Sequence, residues 1–217
     1  MEGSSSPFQK ELEVAIAAAL AAGSIVRDLY DRSAAASYEK VDGSPVTDAD
    51  LAADNVIRTY LTSAFPHDAL LTEEGQDDTA RLSNSRCWIV DPIDGTEQFI
   101  QRTGEFDILI ALVEDGYPVV GVGYQPTTGT LVYASKGGGA WVKHGHTTPE
   151  QLRNEEPAGQ PRIATSKWFG APGNLELLAA TARRIGTEPI PPGVTGFAPR
   201  IFLAPRMHDA MVGIRTE

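Results

Sequence analysis

Two pairs of acids fall directly after short apolar runs. Glu73-Glu74 follows Ala69-Leu70-Leu71-Thr72, and Cys87-Trp88-Ile89-Val90 leads into Asp91-Pro92-Ile93-Asp94-Gly95-Thr96. Carboxylates gathered at strand ends repel one another unless a positive charge sits between them. Hard oxygen donors without imidazole or thiolate partners favour Mg²⁺ over Zn²⁺. Pro92 stiffens the turn and can direct Asp91, the Ile93 carbonyl and Asp94 to one side. Gly95 and Thr96 then open a short predicted helix, Thr96-Glu97-Gln98-Phe99-Ile100, whose free N–H groups can seat a phosphate. Cation, phosphate seat and acids together read as metal-assisted phosphoryl hydrolysis. Each piece alone has a plainer reading. Glu73-Glu74 suits a solvated turn, and Asp94 and Asp50 suit helix caps.

The elements that must carry these groups follow from periodicity. Phe8, Leu12, Ala15, Ile16, Ala19, Val26, Leu29 and Tyr30 recur at helical spacing. A polar stretch through Asp42-Gly43-Ser44-Pro45 follows, and Thr47-Asp48-Ala49-Asp50 opens a second helix with a capping-box-like start. Pro66 ends that helix. Short apolar runs then read as strands: 69–72, 87–90, 108–113, 119–124, 131–134 and 140–142, with Glu114-Asp115-Gly116, Pro126 to Gly129 and Gly137-Gly138-Gly139 as turns. Their spacing predicts an antiparallel meander. Lys143 to Pro161 reads as a linker or long loop, Arg162 to Thr165 as a strand and Leu175 to Ile185 as a helix. The pattern predicts an α+β fold: a metal- and phosphate-binding domain over 1–145 and a smaller α/β domain over 160–217.

Composition bounds the function. The chain has 217 residues with a formal net charge of −11, which disfavours nucleic-acid polymers and anionic membranes as partners. No run reaches the ~18 apolar residues of a membrane span, and the N-terminus carries Glu2 and Glu11 rather than a basic leader. With Cys87 as the single cysteine, a cytoplasmic location is expected.

The run Trp88-Ile89-Val90-Asp91-Pro92-Ile93-Asp94-Gly95-Thr96, with Glu73-Glu74-Gly75 upstream, resembles the signature of the inositol monophosphatase superfamily. Within it, the segments Lys40 to Asp50, Phe99 to Phe106, and Gly121 to Pro126 ahead of Gly139-Ala140-Trp141 are most similar to bacterial 3'(2'),5'-bisphosphate nucleotidases. The resemblance implies a layered αβαβα sandwich, as in inositol monophosphatase and fructose-1,6-bisphosphatase. It implies a lithium-inhibited, Mg²⁺-dependent phosphomonoesterase that uses two or three ions on a small phosphorylated substrate, best read as a 3'(2'),5'-bisphosphate nucleotide. An inositol- or sugar-phosphate phosphatase, or a silent metal- and ligand-binding paralogue, are the alternatives; a homodimer is left open. Carried over by motif, Glu73, Asp91 and the Ile93 carbonyl resemble ligands of a first metal, Asp91 and Asp94 of a second, and Glu74 of a third, with Thr47 near it. Asp50, Glu73 and Thr96 are the implied catalytic residues: Thr96 with Asp50 resembles the pair that activates water, while Asp94, Gly95 and Thr96 would hold phosphate.

The chain departs from the family pattern downstream. The family's further metal acid sits in a Trp-Asp pair with no match here, and Asp209 is the one acid between Glu188 and Glu217. Against the family's extra strands and helix the chain reads as about 40–50 residues short. Thr195-Gly196-Phe197-Ala198-Pro199 replaces a Gly-Ser-Ser helix start that the nucleotidases use for ribose and base. His144-Gly145-His146 and Gly137 to Gly139 read as turns, Lys167 and Trp168 as either surface and core residues or substrate contacts, and Cys87 as a thiol with no catalytic partner.

Overall fold

The computed structural model describes residues 6–40 and 43–152, and beyond them 163–164, 176, 179–180, 183–184 and 210–211. The chain divides into two compact units, Met1–Leu152 and Arg153–Glu217.

In the first unit, helix α1 (Gln9–Arg32) and helix α2 (Asp48–Ala64) flank a two-stranded hairpin of β1 (Ser37–Glu39) and β2 (Pro45–Thr47). A seven-stranded sheet follows in sequential order: β3 (Ala69–Thr72), β4 (Arg86–Asp94), β5 (Asp107–Glu114), β6 (Tyr117–Gln125), β7 (Thr130–Ser135), β8 (Gly139–His144) and β9 (Glu150–Leu152). A five-residue helix, α3 (Thr96–Ile100), leaves the end of β4. The alanine face of α1 and the Ala49, Ala53, Ile57, Leu61 face of α2 bury against Trp88, Val90, Ile108, Ile110, Leu112 and Val122 of the sheet. Burying such a set of apolar side chains, at ~25 cal/mol per Å² of apolar area, is what holds the layers together.

The expected helices 8–30 and 47–65 appear as α1 and α2, and the six expected strands as β3 to β8. The meander is antiparallel from β4 onward, but β3 and β4 are parallel, linked by a crossover that includes a 3₁₀ turn at Thr79–Ser83. Within the expected linker, residues 150–152 form β9 on the edge of β8, with Ala140 opposite Leu152. Glu150 and Gln151 are exposed, so this edge strand carries no apolar alternation for a sequence reading to find.

In the second unit, Ile163–Ala164 pairs in parallel with Ala210–Met211, and residues 176, 179–180 and 183–184 are helical. The remainder of the expected helix 175–185, together with Lys167, Trp168, Asp209 and the 195–199 segment, lies outside the described residues.

Candidate active site

The parallel pairing of β3 and β4 explains why acids far apart in sequence meet. Parallel strands end at the same sheet edge, and Thr72 stands beside Val90 in register. The ladder runs one residue further, with Glu73 N–H donating to the Val90 carbonyl at 3.1 Å. Glu73 therefore emerges next to Asp91.

A β-bulge sets the direction of the two aspartates. Asp91 pairs with Leu109 and Asp94 with Asp107, so three steps along β4 match two along β5. Leu109 and Asp107 share a face of β5, and so Asp91 and Asp94 share one as well, which a regular strand would forbid at that spacing. Pro92 has no N–H to contribute to the ladder, and a bulge is where a strand tolerates it. The Asp91 Oδ1 accepts the Ile93 N–H at 3.1 Å, closing the turn. Ile93 sends its side chain into the core, and its carbonyl lies 3.2 Å from the Thr96 hydroxyl.

Asp50 reaches the same place from the start of α2. Its Oδ2 accepts the Thr47 N–H at 2.8 Å and also the Thr47 hydroxyl, completing a capping box. Its Oδ1 lies 3.1 Å from Thr96 Oγ1. The plain and the chemical readings of Asp50 thus use different oxygens. Thr96 carries one hydroxyl proton and gives it either to Asp50 or to the Ile93 carbonyl. Burial pushes the Asp50 carboxyl above the usual carboxylate range, and the bonds from Thr47 and Thr96 hold it back.

Gly95 sits at φ 99°, and a Cβ there would stand 3.0 Å from the Glu105 carbonyl oxygen. Only glycine passes the chain from the bulge into α3 so closely under residues 105–106.

Electrostatics decide the rest of the site. The Lys40 ammonium bridges Glu73 Oε1 at 2.8 Å and Glu74 Oε1 at 2.7 Å. Burial disfavours the Lys40 charge, but the two carboxylates outweigh that and push its pKa up to about 12. The Asp91 carboxyl is pushed well above its ordinary range by burial first, then by the charges of Glu73 and Asp94. Asp107, 0% exposed and directly across from Asp94, adds a fifth acid to this strand end, beyond Glu73, Glu74, Asp91 and Asp94. It was not singled out from sequence; its signal was an acid opening an otherwise apolar strand.

Among the described residues no three acids close into a finished ion-binding group. The structure does bring together Glu73, Glu74, Asp91, the Ile93 carbonyl, Asp94, Gly95, Thr96 and Asp50 at one sheet edge. The donor set is entirely oxygen, and Asp91 is disfavoured as an anion by burial first and then by the charges of Glu73 and Asp94, so the chemistry fits a hard divalent cation.

The sequence profile described as the inositol monophosphatase family matches residues 8–182. The chain belongs to this family. A 3'(2'),5'-bisphosphate nucleotidase CysQ from Salmonella typhimurium strain LT2 is 41% identical over 139 residues, covering 63% of this chain and 56% of the relative. A histidinol-phosphatase from Chlorobaculum parvum is 36% identical over 132 residues, 61% of this chain and 50% of that protein. The chain spans about half the length of the curated relatives it matches. The crystal structure of CysQ from Bacteroides thetaiotaomicron, a bacterial member of the same family, superposes with a TM-score of 0.71 at 32% identity, covering 85% of this chain and 73% of that one. The fold is accordingly the layered α/β sandwich of the inositol monophosphatase family. Among the described residues no helix is long and apolar enough to cross a membrane.

Of the segment expected as a turn, Gly145 (φ 53°) and His146 form one, whereas His144 ends β8 opposite Thr130, its Nδ1 3.2 Å from Thr130 Oγ1. Burial pushes the Cys87 thiol pKa up, which disfavours its thiolate.

Proposed function

We propose that this member of the family is a Mg²⁺-dependent phosphomonoesterase acting on a small phosphorylated metabolite, with a 3'(2'),5'-bisphosphate nucleotide as first choice. One observation carries the reading: the bulge that turns Asp91 and Asp94 to one face beside Glu73, with the Thr96–Asp50 pair 3.1 Å apart at the same edge.

In this reading Glu73, Asp91 and the Ile93 carbonyl would hold a first cation, Asp91 and Asp94 a second, and Glu74 a third. When bound, these ions acidify water and neutralise charge that develops on phosphoryl oxygens. The chain's own groups do the remaining work. Thr96 orients the attacking water and passes a proton toward Asp50, whose raised affinity for protons suits a base. The N–H groups of Gly95 and Thr96 face the phosphate. Thr47 fixes Asp50 by holding its other oxygen. All of these residues lie within 1–145, which serves as the metal- and phosphate-binding part of a cytoplasmic enzyme.

An inositol- or sugar-phosphate substrate is the second reading. It is supported by the family profile itself, described as inositol monophosphatase, which matches residues 8–182. The test is phosphate release with Mg²⁺ from adenosine 3',5'-bisphosphate, inositol 1-phosphate and a sugar phosphate. Release fastest from the bisphosphate is expected. No release from any substrate by a folded chain overturns the proposal.

A further inference from the structure

The turn that presents Glu73 and Glu74 is held from below by a residue with no part in the proposed chemistry. Thr72-Glu73-Glu74-Gly75 is closed by the Gly75 N–H to the Thr72 carbonyl at 3.3 Å, which leaves the two glutamates as its central residues. Arg58, two turns along α2 from Asp50, donates from Nη2 to the Thr72 hydroxyl at 2.9 Å. The same nitrogen lies 3.1 Å from Asp54 Oδ2. Gly75 packs so closely on this arrangement that a Cβ there would overlap both the Arg58 guanidinium and the Thr72 hydroxyl. Arg58 therefore touches the first and last residues of the turn at once. Thr72 is 4% exposed and the Asp54 side chain 10%, so the contact is internal although the rest of the arginine is solvated.

An i,i+4 helix pair such as Arg58–Asp54, with its arginine 39% exposed, is worth little by itself. Its geometric effect is larger. The Val90 carbonyl fixes the Glu73 N–H on the sheet side, and on the helix side the guanidinium fixes the turn's base. Asp54, one helical turn past Asp50, aims that guanidinium, so the clamp and the Asp50 carboxylate share one rigid element.

We propose that Arg58, aimed by Asp54, is a positioning residue for the cation site: it clamps the Thr72–Gly75 turn so that Glu73 and Glu74 are presented together beside Asp91. The inference rests on the cation site proposed above. It makes a prediction opposite to simple electrostatics. Arg58 is positive, so deleting its charge near a cation site strengthens cation binding if charge alone matters. If Arg58 positions the ligands, its loss weakens binding, as loss of outer-shell partners of metal ligands does by about 10–100-fold.

The experiment measures Mn²⁺ binding to the full chain directly, by electron paramagnetic resonance of free Mn²⁺ with Mg²⁺ competition, alongside thermal melting. Arg58→Met is expected to weaken binding by about 10-fold. Thr72→Val, which changes no charge, is expected to weaken it in the same direction. The double variant should be no worse than Arg58→Met, because both break one link. Arg58→Lys should recover part of the loss, since an ammonium reaches one partner but cannot fork between two. Unchanged or tighter binding in Arg58→Met, with only a lower melting temperature, overturns the proposal. If Arg58→Met does not fold, Thr72→Val decides by the same criterion. Asp91→Asn separates the two ideas: weakened binding there but not in the Arg58 and Thr72 variants sinks the clamp alone. Equal binding by wild type and Asp91→Asn sinks the cation site and the clamp with it.

Discussion

Replacing Asp50 by Asn separates its two roles, because they use different oxygens. In the native chain Oδ2 takes the Thr47 N–H at 2.8 Å and the Thr47 hydroxyl, while Oδ1 faces Thr96 at 3.1 Å. Asparagine keeps one carbonyl oxygen for the Thr47 N–H. Its amide NH₂ then meets Thr96, whose hydroxyl can turn its proton to the Ile93 carbonyl 3.2 Å away and accept instead. Charge-assisted bonds become neutral ones, a loss of about 1 kcal/mol. Part of that is returned because a buried carboxylate is no longer desolvated, the effect that raises its pKa. A melting-temperature drop of about 2–4 °C is expected for a chain of this size. Phosphate release, in contrast, should fall about 10²–10⁴-fold, or ~3–5 kcal/mol on the barrier, since the proton acceptor is gone. Asp50→Ala should lose as much activity and a further ~1–3 kcal/mol of stability by stranding the buried Thr47 donors. Melting followed by circular dichroism and Mg²⁺-dependent phosphate release read the two quantities separately. Asp50→Asn activity within a few-fold of wild type would reduce Asp50 to a helix cap. An equal stability loss in the Asn and Ala variants would refute the division between oxygens.

The Asp91 carboxyl has a folded-state pKa above its unfolded one, so its ionisation opposes folding. Without Mg²⁺, stability from this group is complete below the ordinary carboxylate range near pH ~4 and is lost as pH rises through the raised value; melting between pH 5 and 8 should show a decline that Asp91→Asn flattens and added Mg²⁺ offsets. Lys40→Met leaves Glu73 and Glu74 without their ammonium; the Glu73 side is 43% exposed and screened, so the metal-free loss should be about 1 kcal/mol, with a larger Mg²⁺-induced rise in melting temperature than in wild type. Gly95→Ala puts a Cβ at φ 99° and 3.0 Å from a backbone oxygen, which should cost about 1–3 kcal/mol and depress phosphate release more than it depresses cation binding.

Much of this was legible in the sequence because it rests on local rules. The capping box at Thr47, the helix period of α1, and the run from an apolar strand through Asp91 and Asp94 to a short helix at Thr96 follow from spacing; that the strand itself continues to Asp94 does not. The parallel join of β3 to β4 does not, because its crossover contains only a 3₁₀ turn and no full helix to announce it. Lys40 belongs to the polar stretch between the helices, and nothing local says that its ammonium reaches Glu73 and Glu74 more than thirty residues away. Asp107 and the Arg58–Thr72 link are illegible in the sequence for the same reason: each acquires meaning only from the strand or helix opposite. The Arg86 guanidinium, which joins Glu11, Asp68 and Glu114, is a further such meeting of distant charges.

The extra residue in β4 gives the acid motif a parity. Two aspartates three positions apart lie on one side only because one count is absorbed at Pro92-Ile93. Deleting a single residue there would restore even alternation with Asp91 and Asp94 two steps apart and still on one side, but it would remove the doubled step that sets the Ile93 carbonyl 3.2 Å from the Thr96 hydroxyl. Straightening the strand with every residue kept would instead turn Asp94 to the face opposite Asp91, without any change in its identity. A library that varies the length of this segment therefore changes the carbonyl beside the acids before it changes the face that the acids share. Residue types there are no freer, because Pro92 is buried and Ile93, 1% exposed, fills the core.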